Sequence, residues 1–383
     1  MAAPRTVLLL HSSSGRYGAD LQLLAIASGI DRARWRPLCV LPEAGELAKL
    51  LDDAGVEVLL RPLAVLRRAG MGPRGLARLA ASLARDSREL GALAAERRAA
   101  IVHSNTSVVL GGTPAARRAG AASLVHVREI YAGAASGPAA ALWPLLRRRL
   151  ERADALACVS RAVADQFGRR AFVLNDGLLR VPEPTDRAEA RARLGLRGDA
   201  FCVALLGRIS DWKGQDVLAR ALADHRLGGV VGLVAGDPYP GNESAERDLR
   251  ALAEALGVAD RLVLLGFRDD VETVLGAADV VVVPSTRPDP LPNSALEAAA
   301  AGLPVVAADH GGLPEIVRHG ETGLLVRPGD PGALAAAIAG LAANPKRARS
   351  LGAAAARDAR ERFSLGRMVS ALEERYEQLS GRA

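Results

Sequence analysis

Short apolar segments rich in β-branched residues alternate with helical segments along the whole chain of 383 residues. This alternation is the pattern of parallel sheets whose strands are joined by crossover helices. The first series of predicted strands covers residues 6–10, 37–41, 56–60, 101–103, 123–126 and 155–159. The second series covers residues 201–206, 230–235, 261–265, 280–283, 305–307 and 323–326. The sequence therefore predicts an α/β protein with two doubly wound, Rossmann-like domains facing a cleft.

A proline-marked segment, VPEPTD at residues 181–186, separates the two series of strands. Proline and short polar residues favour a connection over a regular element. We therefore predict one domain at residues 1–178 and a second at residues 179–360, followed by a C-terminal segment at 361–383 with a helix over 362–379.

The composition restricts the kinds of partner. Hydrophobic residues make up 49% of the chain, which is enough for sizeable cores. The net charge of +7 comes almost entirely from arginine, because the chain has only three lysines, Lys49, Lys213 and Lys346. Such a charge suits nucleic acid, an anionic membrane or phosphorylated substrates. No nucleic-acid-binding motif accompanies it, so we expect no nucleic acid partner.

Metal, redox and membrane-spanning signals are absent from the sequence. There is no C-x-x-C, H-x-x-H, H-E-x-x-H or D-x-D spacing, and each cysteine lies in an apolar strand-like run. No apolar run approaches the roughly 20 residues that span a bilayer, and the first apolar run is too short for a signal peptide. We expect a cytoplasmic protein that requires no metal or cofactor.

The stretch from 280 to 306 combines a buried strand, a loop rich in Pro and Asp, and a short helix at about 294–301. Asp289 lies in the loop and Glu297 lies eight positions later in the helix. Such a loop lies where open α/β sheets bind ligands, and a helix N-terminus near Asn293 and Ser294 suits a phosphate. Alternatively, Ser294 and Glu297 form a capping box and Asp289 is a turn residue.

Two other loops enter helices from predicted strands. The segment GRISDWKG at 207–214 contains Arg208 and Lys213, whose cations suit a diphosphate, although both are alternatively surface charges at a helix entrance. The loop HSSSGRYG at 11–18 contains Gly15 and Gly18, which permit close approach of a ligand or merely form a tight turn.

The run DPLPNSALEAAAAGLPVVA at 289–307 resembles the paired-acid motif of the large retaining glycosyltransferase family with the two-domain GT-B fold, family 4 of the sequence classification. The segment GRISDWKG resembles a second motif of the same family. The chain departs from the family at Asp289, where Glu is usual, and at Pro292, where Gly is common. The resemblance covers nearly the whole chain.

The resemblance implies roles for particular residues. Glu297 would bind the ribose of a nucleotide-diphosphate sugar, Asp289 the sugar, and Arg208 and Lys213 the diphosphate. His126 would contact the donor sugar. Further donor contacts are expected from Gly18, Gly236, Phe267, Asn293 and Ser294. Acceptor contacts are expected from Asn105, Thr106, Arg128 and Glu129.

The implied function is retaining transfer of a sugar to a saccharide or lipid-linked acceptor in cell-surface glycan or polysaccharide biosynthesis. By the same resemblance, the first domain is the acceptor side, the second binds the nucleotide sugar, and the C-terminal helix returns to the first domain. The arginine-rich segments at 63–98 and 143–149 are either solvated helix faces or contacts with an anionic membrane, such as the inner face of the plasma membrane.

Three other functions are compatible with the same features. A sugar-nucleotide epimerase would use the same architecture without an acceptor. A phosphorylase of this fold would need a lysine bound to pyridoxal phosphate, and none of the three lysines lies in an obvious context for it. A non-catalytic, nucleotide-binding scaffold protein is the third, in view of Asp289 and Pro292.

Overall fold

The computed structural model describes residues 3–67, 72–131, 138–196, 200–239 and 241–381. The chain divides into two compact units. Unit 1 comprises the chain up to Leu179 together with the segment from Ser364 onwards, and unit 2 comprises Arg180–Phe363.

Unit 1 contains a parallel sheet of seven strands in the order β3-β2-β1-β4-β5-β6-β7. Its strands are β1 Arg5–Leu10, β2 Trp35–Leu41, β3 Glu57–Leu60, β4 Ala99–Ser104, β5 Ala122–Val127, β6 Ala155–Cys158 and β7 Ala171–Val173. Its helices are α1 Gly18–Gly29, α2 Glu46–Asp53, α3 Pro73–Glu96, α4 Gly112–Ala119, α5 Pro138–Leu150, α6 Arg161–Ala164 and, at the C-terminal end, α15 Leu365–Ser380.

Unit 2 contains a parallel sheet of six strands in the order β10-β9-β8-β11-β12-β13. Its strands are β8 Phe201–Leu206, β9 Val230–Ala235, β10 Leu262–Gly266, β11 Val280–Val283, β12 Val305–Ala308 and β13 Gly323–Val326. Its α-helices are α7 Arg187–Arg193, α8 Gln215–Leu222, α9 Ser244–Ala255, α10 Val271–Ala277, α11 Asn293–Ala300, α12 Leu313–Ile316, α13 Pro331–Ala342 and α14 Pro345–Arg362. A short 3-10 helix, His225–Leu227, precedes β9.

Both faces of each sheet are covered, which explains why the strands are continuously apolar. In β1, Val7 and Leu9 belong to one buried cluster of unit 1, whereas Leu8 and Leu10 belong to another on the opposite face. Successive side chains of a strand point to opposite faces, so every residue of such a strand must be apolar. The predicted α/β architecture with two Rossmann-like sheets is confirmed.

The C-terminal helix α15 belongs to unit 1. Its residues Met368, Leu372 and Tyr376 lie in the same buried cluster as Val7 and Leu9 of β1. Ser364 caps the helix by accepting a hydrogen bond from the Arg367 amide at 3.4 Å. The predicted helix at 362–379 was wrong at its start, because Arg362 ends α14 and the chain turns before α15.

Two further differences from the predicted elements are local. Strand β7, which is only three residues long and partly exposed, was not predicted because so short a segment carries no recognisable period. The helix predicted at about 294–301 begins one residue earlier, at Asn293, and Pro292 occupies its N-cap position.

The described ranges contain neither a membrane-spanning helix nor a metal-binding cluster. No helix in them is long and apolar enough to cross a bilayer. Nor do these ranges contain a group of three or more His, Cys, Asp or Glu side chains arranged to hold a metal ion.

Candidate active site

The strand order of unit 2 reverses between β8 and β11, which are neighbours in the sheet although two strands separate them in the chain. Ligands of open α/β sheets bind beyond the carboxyl ends of the strands at such a switch point. The loop after β8 carries Arg208 and Lys213, and the loop after β11 carries Asp289. The fold therefore brings these two sequence motifs to the same place.

Lys213 and Asp289 form an ion pair across the switch point. The Lys213 Nζ atom donates to the Asp289 Oδ2 atom at 2.6 Å, and the Asp289 side chain is almost completely buried. Lys213 also lies over the ring of Trp212, with Nζ 4.4 Å from the ring centroid. A buried carboxylate requires such a partner, so the pair holds the two loops in a defined position.

The loop after β12 supports Asp289 from the other side. Gly311 has φ +61°, and a Cβ atom at this position would lie 2.3 Å from the Asp289 carbonyl oxygen. The Gly312 amide donates to the same carbonyl oxygen at 2.8 Å. The HGG segment that precedes α12 is therefore required for close contact between two loop backbones.

Helix α11 begins at the switch point without a side-chain cap. The capping box between Ser294 and Glu297 is absent, and this alternative interpretation of Glu297 was wrong. Burial raises the pKa of Glu297 to about 7, against the opposing effect of Arg180 and with a further increase from Glu272. Within the described chain, the Glu297 carboxylate makes no ion pair or hydrogen bond. No side chain accepts a hydrogen bond from the first backbone amides of α11, so these amides can donate to a ligand.

Two aromatic side chains follow the neighbouring strands β9 and β10. The Arg208 guanidinium lies over the Tyr239 ring, 4.3 Å from its centroid. Phe267 is 58% exposed, and its amide donates to the Asp237 Oδ1 atom at 2.8 Å. Gly236 lies between these loops, where a Cβ atom would be 2.2 Å from the Gly207 carbonyl oxygen. Gly236 thus permits close packing of adjacent strand ends, and the partly exposed Tyr239 and Phe267 rings lie in the loops beside it.

Unit 1 has its own switch point between β1 and β4. His11 follows β1 and donates from Nε2 to the Asp20 Oδ1 atom at 2.8 Å, while its Nδ1 atom accepts from the Asn105 amide at 3.1 Å. The Asp20 carboxylate is buried, but bonds from His11, Ser13 and the Tyr17 amide outweigh the desolvation and lower its pKa. Gly18 is the first residue of α1 in this loop.

Arg128 is the centre of a buried network in unit 1. Its Nε atom donates to the Asn105 carbonyl at 3.0 Å, and its guanidinium forms an ion pair with Asp176. Burial raises the pKa of Asp176, and Arg128 opposes this increase. Asn105 and Thr106 are buried, and the Asn105 amide is already shared by His11, Ala19 and Arg128. Both residues thus support the loop, and their contact with an acceptor stays a prediction.

Glu129 follows Arg128 and lies beside the same loop. The Ser107 hydroxyl donates to the Glu129 carboxylate and lies 2.7 Å from the Tyr131 hydroxyl. Burial raises the pKa of Glu129, although Ser107 and the Arg128 amide act in the opposite direction.

His126 lies inside β5 and not at its end. Its side chain has no exposed surface, and its ring stacks on His103 at a centroid distance of 5.7 Å. Burial and the Arg128 charge lower the pKa of His126 well below its ordinary value, so the ring is neutral. The structure places this ring in the core, with its Nε2 atom buried and without a hydrogen-bond partner among the described residues, and the contact of His126 with a donor sugar stays a prediction. Arg128 is the first residue after the strand.

Two family models match the chain. "Glycosyl transferase 4-like domain" matches residues 18–182, and "Glycosyl transferases group 1" matches residues 186–358. The second match includes both motifs at the unit 2 switch point, and the first includes Asn105, Arg128 and Asp176 of unit 1.

The chain belongs to the GT-B glycosyltransferases of the family 4 type.

Curated relatives include the D-inositol 3-phosphate glycosyltransferase of Mycobacterium marinum, which is 42% identical over 175 residues, or 45% of this chain and 37% of the relative. The enzyme of the same name from Mycobacterium tuberculosis is 42% identical over 196 residues, or 50% of this chain and 40% of the relative. The matched stretches thus span less than half of these relatives.

The fold is similar to that of Anabaena HepE, solved in complex with UDP-glucose. The TM-score is 0.83 at 27% identity, and the alignment covers 98% of this chain and 100% of that chain. A second structure of the same protein, in complex with UDP and glucose, gives a TM-score of 0.84 at 26% identity, with 97% of this chain and 99% of that chain covered.

The sequence did not predict several polar and aromatic residues near the two switch points. Tyr239 stacks on Arg208, but a lone tyrosine in a proline-rich loop carries no pattern that predicts this contact. His11, Asp20 and Asp176 are buried polar residues of unit 1. The position of His11 directly after the first strand is a signal that could have identified it.

Proposed function

We propose that this protein is a retaining glycosyltransferase that moves a sugar from a nucleotide-diphosphate donor to a hydroxyl of a saccharide or lipid-linked acceptor. The observation that carries the proposal is the convergence of Lys213, Asp289 and the uncapped N-terminus of α11 at the switch point of unit 2. Cations and free amides at one point suit a diphosphate, and the adjacent carboxylates suit hydroxyl groups.

We assign the leaving diphosphate to Arg208, Lys213 and the first turn of α11. Negative charge grows on a nucleotide diphosphate as the bond to the sugar breaks, and preorganised cations and amides stabilise that charge. In this proposal Lys213 contacts both Asp289 and the diphosphate, while Asp289 accepts from the sugar hydroxyls. These groups supply the positive charge, so the reaction is proposed to need no metal ion. Activity in the presence of EDTA is the corresponding measurement.

The nucleoside is assigned to Glu297 and the two exposed aromatic residues. A carboxylate in α11 accepts hydrogen bonds from ribose hydroxyls, and Tyr239 or Phe267 offers a face for the base. UDP and UDP-glucose in the Anabaena HepE structures support a uridine donor for this chain.

The acceptor side is assigned to unit 1, where Arg128 and Glu129 lie near its switch point, while Gly18 at the start of α1 is proposed as a donor contact. The mycobacterial relatives are named for D-inositol 3-phosphate, which supports including that compound among the acceptors tested. We infer a role in cell-surface glycan or polysaccharide biosynthesis, with the enzyme cytoplasmic and its arginine-rich helix α3 in peripheral contact with an anionic membrane. Residues 68–71 of the arginine-rich segment lie outside the described residues.

The test begins with calorimetric binding of UDP and GDP without metal, followed by turnover of the sugar nucleotide whose nucleoside binds. Release of the nucleoside diphosphate with an acceptor, and formation of a glycoside with the donor's anomeric configuration, would support the proposal. Conversion of the donor into an epimer without any acceptor would identify an epimerase. Nucleotide binding without turnover on a broad acceptor panel would support a scaffold protein.

A further inference from the structure

A small cavity of about 60 Å³ lies in unit 1, apart from both switch points, between α4, the end of α5 and β5. Its polar lining consists mainly of three arginines, Arg117, Arg149 and Arg152, together with Thr113. Val125 of β5 contributes to its apolar lining. Three cations around one small cavity repel one another unless an anion lies between them.

Two of these three arginines donate to backbone carbonyl groups. Arg117 Nη2 donates to the Arg152 carbonyl at 2.8 Å, and Arg149 Nη2 donates to the Leu110 carbonyl at 3.1 Å. The Arg149 Nε atom is buried and has no hydrogen-bond partner among the described residues. Carbonyl groups orient a guanidinium without neutralising it, so the positive charge remains available.

No carboxylate compensates this charge within the described part of the chain. Arg117, Arg149 and Arg152 form none of its ion pairs, whereas the nearby Glu151 binds Arg147 at 3.0 Å. Burial and the neighbouring Arg152 lower the pKa of Arg149, which is the effect expected where cations lack a counter-ion.

We propose that Arg117, Arg149 and Arg152 form a binding site for a phosphoryl group, separate from the donor site of unit 2. Forked guanidinium groups match the geometry of phosphate oxygens, and Thr113 adds a hydroxyl that donates to the same anion. The inference does not depend on the glycosyltransferase proposal, because none of its residues belongs to the donor or acceptor assignments.

Two sources of the phosphoryl group fit this chemistry, a phosphorylated solute and a phospholipid head group. Leu145, one helical turn before Arg149 on α5, is 67% exposed. An exposed leucine at this distance would enter the apolar region of a bilayer if the phosphate belonged to a lipid.

The first experiment is a calorimetric titration of the full chain with inorganic phosphate. The Arg152→Gln variant is expected to weaken binding about tenfold, the loss typical of one charge-assisted contact. Arg149→Lys keeps the positive charge but removes the buried guanidinium group, so it tests the contribution of guanidinium geometry to phosphate binding. Circular dichroism establishes that each variant is folded. The matched control is Arg148→Gln. Arg148 is exposed, lies in α5 beside Arg149 and does not line the cavity, so this variant should bind phosphate as the wild type does.

Lys213→Ala separates this site from the donor site, because the phosphate binding that Arg152→Gln weakens should persist in Lys213→Ala. Absence of saturable phosphate binding, or equal binding by the wild type, Arg152→Gln and Arg148→Gln, would overturn the proposal. Binding that disappears only in Lys213→Ala would overturn it too, since the anion would then occupy unit 2.

Sedimentation with vesicles of phosphatidylcholine containing phosphatidylglycerol identifies the source once the site is established. Vesicle binding that is lost in both Arg152→Gln and Leu145→Ser, with phosphate binding retained in Leu145→Ser, supports a lipid head group. Unchanged vesicle binding in these variants, with phosphate binding lost in Arg152→Gln, supports a phosphorylated solute.

Discussion

The sequence predicts the positions of some donor-site residues but not the contacts between them. The spacing of Asp289 and Glu297 correctly predicts one acid in a loop and another in the helix that follows. The pairing of Asp289 with Lys213 is not predictable from spacing, because the two residues are 76 positions apart and meet only through the order of the strands. His126 was predicted at the end of its strand, but Val127 still follows it in β5 and the His126 ring is buried.

Lys213→Ala is expected to weaken binding of UDP-glucose at least tenfold. The substitution removes a charge-assisted contact with the diphosphate, a loss of about 1.5–3 kcal/mol. It also leaves the Asp289 carboxylate buried without its cation. Calorimetry measures the binding, and Lys346→Ala, an exposed lysine of unit 2, serves as the matched control. Equal affinity of the two variants for UDP-glucose would contradict the assignment of Lys213 to the donor site.

Glu297→Gln is expected to make the protein more stable at pH 8 than the wild type, by up to about 3 kcal/mol. The pKa of Glu297 is raised from 4.5 to about 7 in the folded protein. Folding therefore favours the protonated Glu297 side chain. The stability that this preference contributes is fully present below pH 4.5 and is lost as the pH rises through 7. The stability difference between variant and wild type should shrink accordingly at pH 5.

Denaturant unfolding at pH 5 and pH 8 measures this difference, with the exposed Glu374→Gln as control. A difference between variant and wild type that is the same at both pH values contradicts the raised pKa. Binding of UDP-glucose should strengthen from pH 6 to pH 8 in the wild type but not in Glu297→Gln, if the ionised carboxylate accepts the ribose hydroxyls. The diester phosphates of UDP-glucose do not titrate in this range, unlike the terminal phosphate of UDP.

At the scale of elements, the strands of unit 2 were predicted better than the loops between them. Val280–Val283 is buried along its whole length, so its apolar residues identify it in the sequence. The contact of the Gly311 loop with Asp289 was not predicted, because a pair of glycines indicates a tight loop without indicating what approaches it.

Gly311→Ala is expected to destabilise the protein by several kcal/mol more than Gly329→Ala. Both glycines have nearly equal positive φ values, +61° and +68°, so the conformational cost of alanine, about 1–2 kcal/mol, is similar at both positions. Only at Gly311 does the added methyl group meet a backbone oxygen, that of Asp289 at 2.3 Å. Denaturant unfolding of the two variants compares these costs. Equal destabilisation would show that the loop moves aside freely.

At the scale of the whole molecule, the alternation of strands and helices predicted two sheets, and both are present. The membership of α15 in unit 1 followed from the resemblance to the family and not from its own residues. A helix with a mixed face carries no information about which sheet it covers, since both sheets offer similar apolar surfaces.

Leu372→Asp is expected to unfold unit 1 while unit 2 still binds UDP. Leu372 of α15 is completely buried in the unit 1 core, where an unpaired carboxylate costs several kcal/mol. The exposed Gln378→Asp on the same helix is the matched control and should keep full transferase activity. Circular dichroism, UDP binding and turnover distinguish the outcomes, and a Leu372→Asp variant that remains active would contradict the role of α15 in the unit 1 core.

Unit 1 is assembled from two segments of the chain with the whole of unit 2 between them. A parallel bridge joins Leu178 to Ser364 where the chain leaves unit 1 and returns to it. On the ribosome, the seven strands of unit 1 therefore emerge first, but the buried cluster that they form with α1 and α2 is completed only when α15 has been synthesised. The part of the protein that is translated first is therefore the last to complete its core.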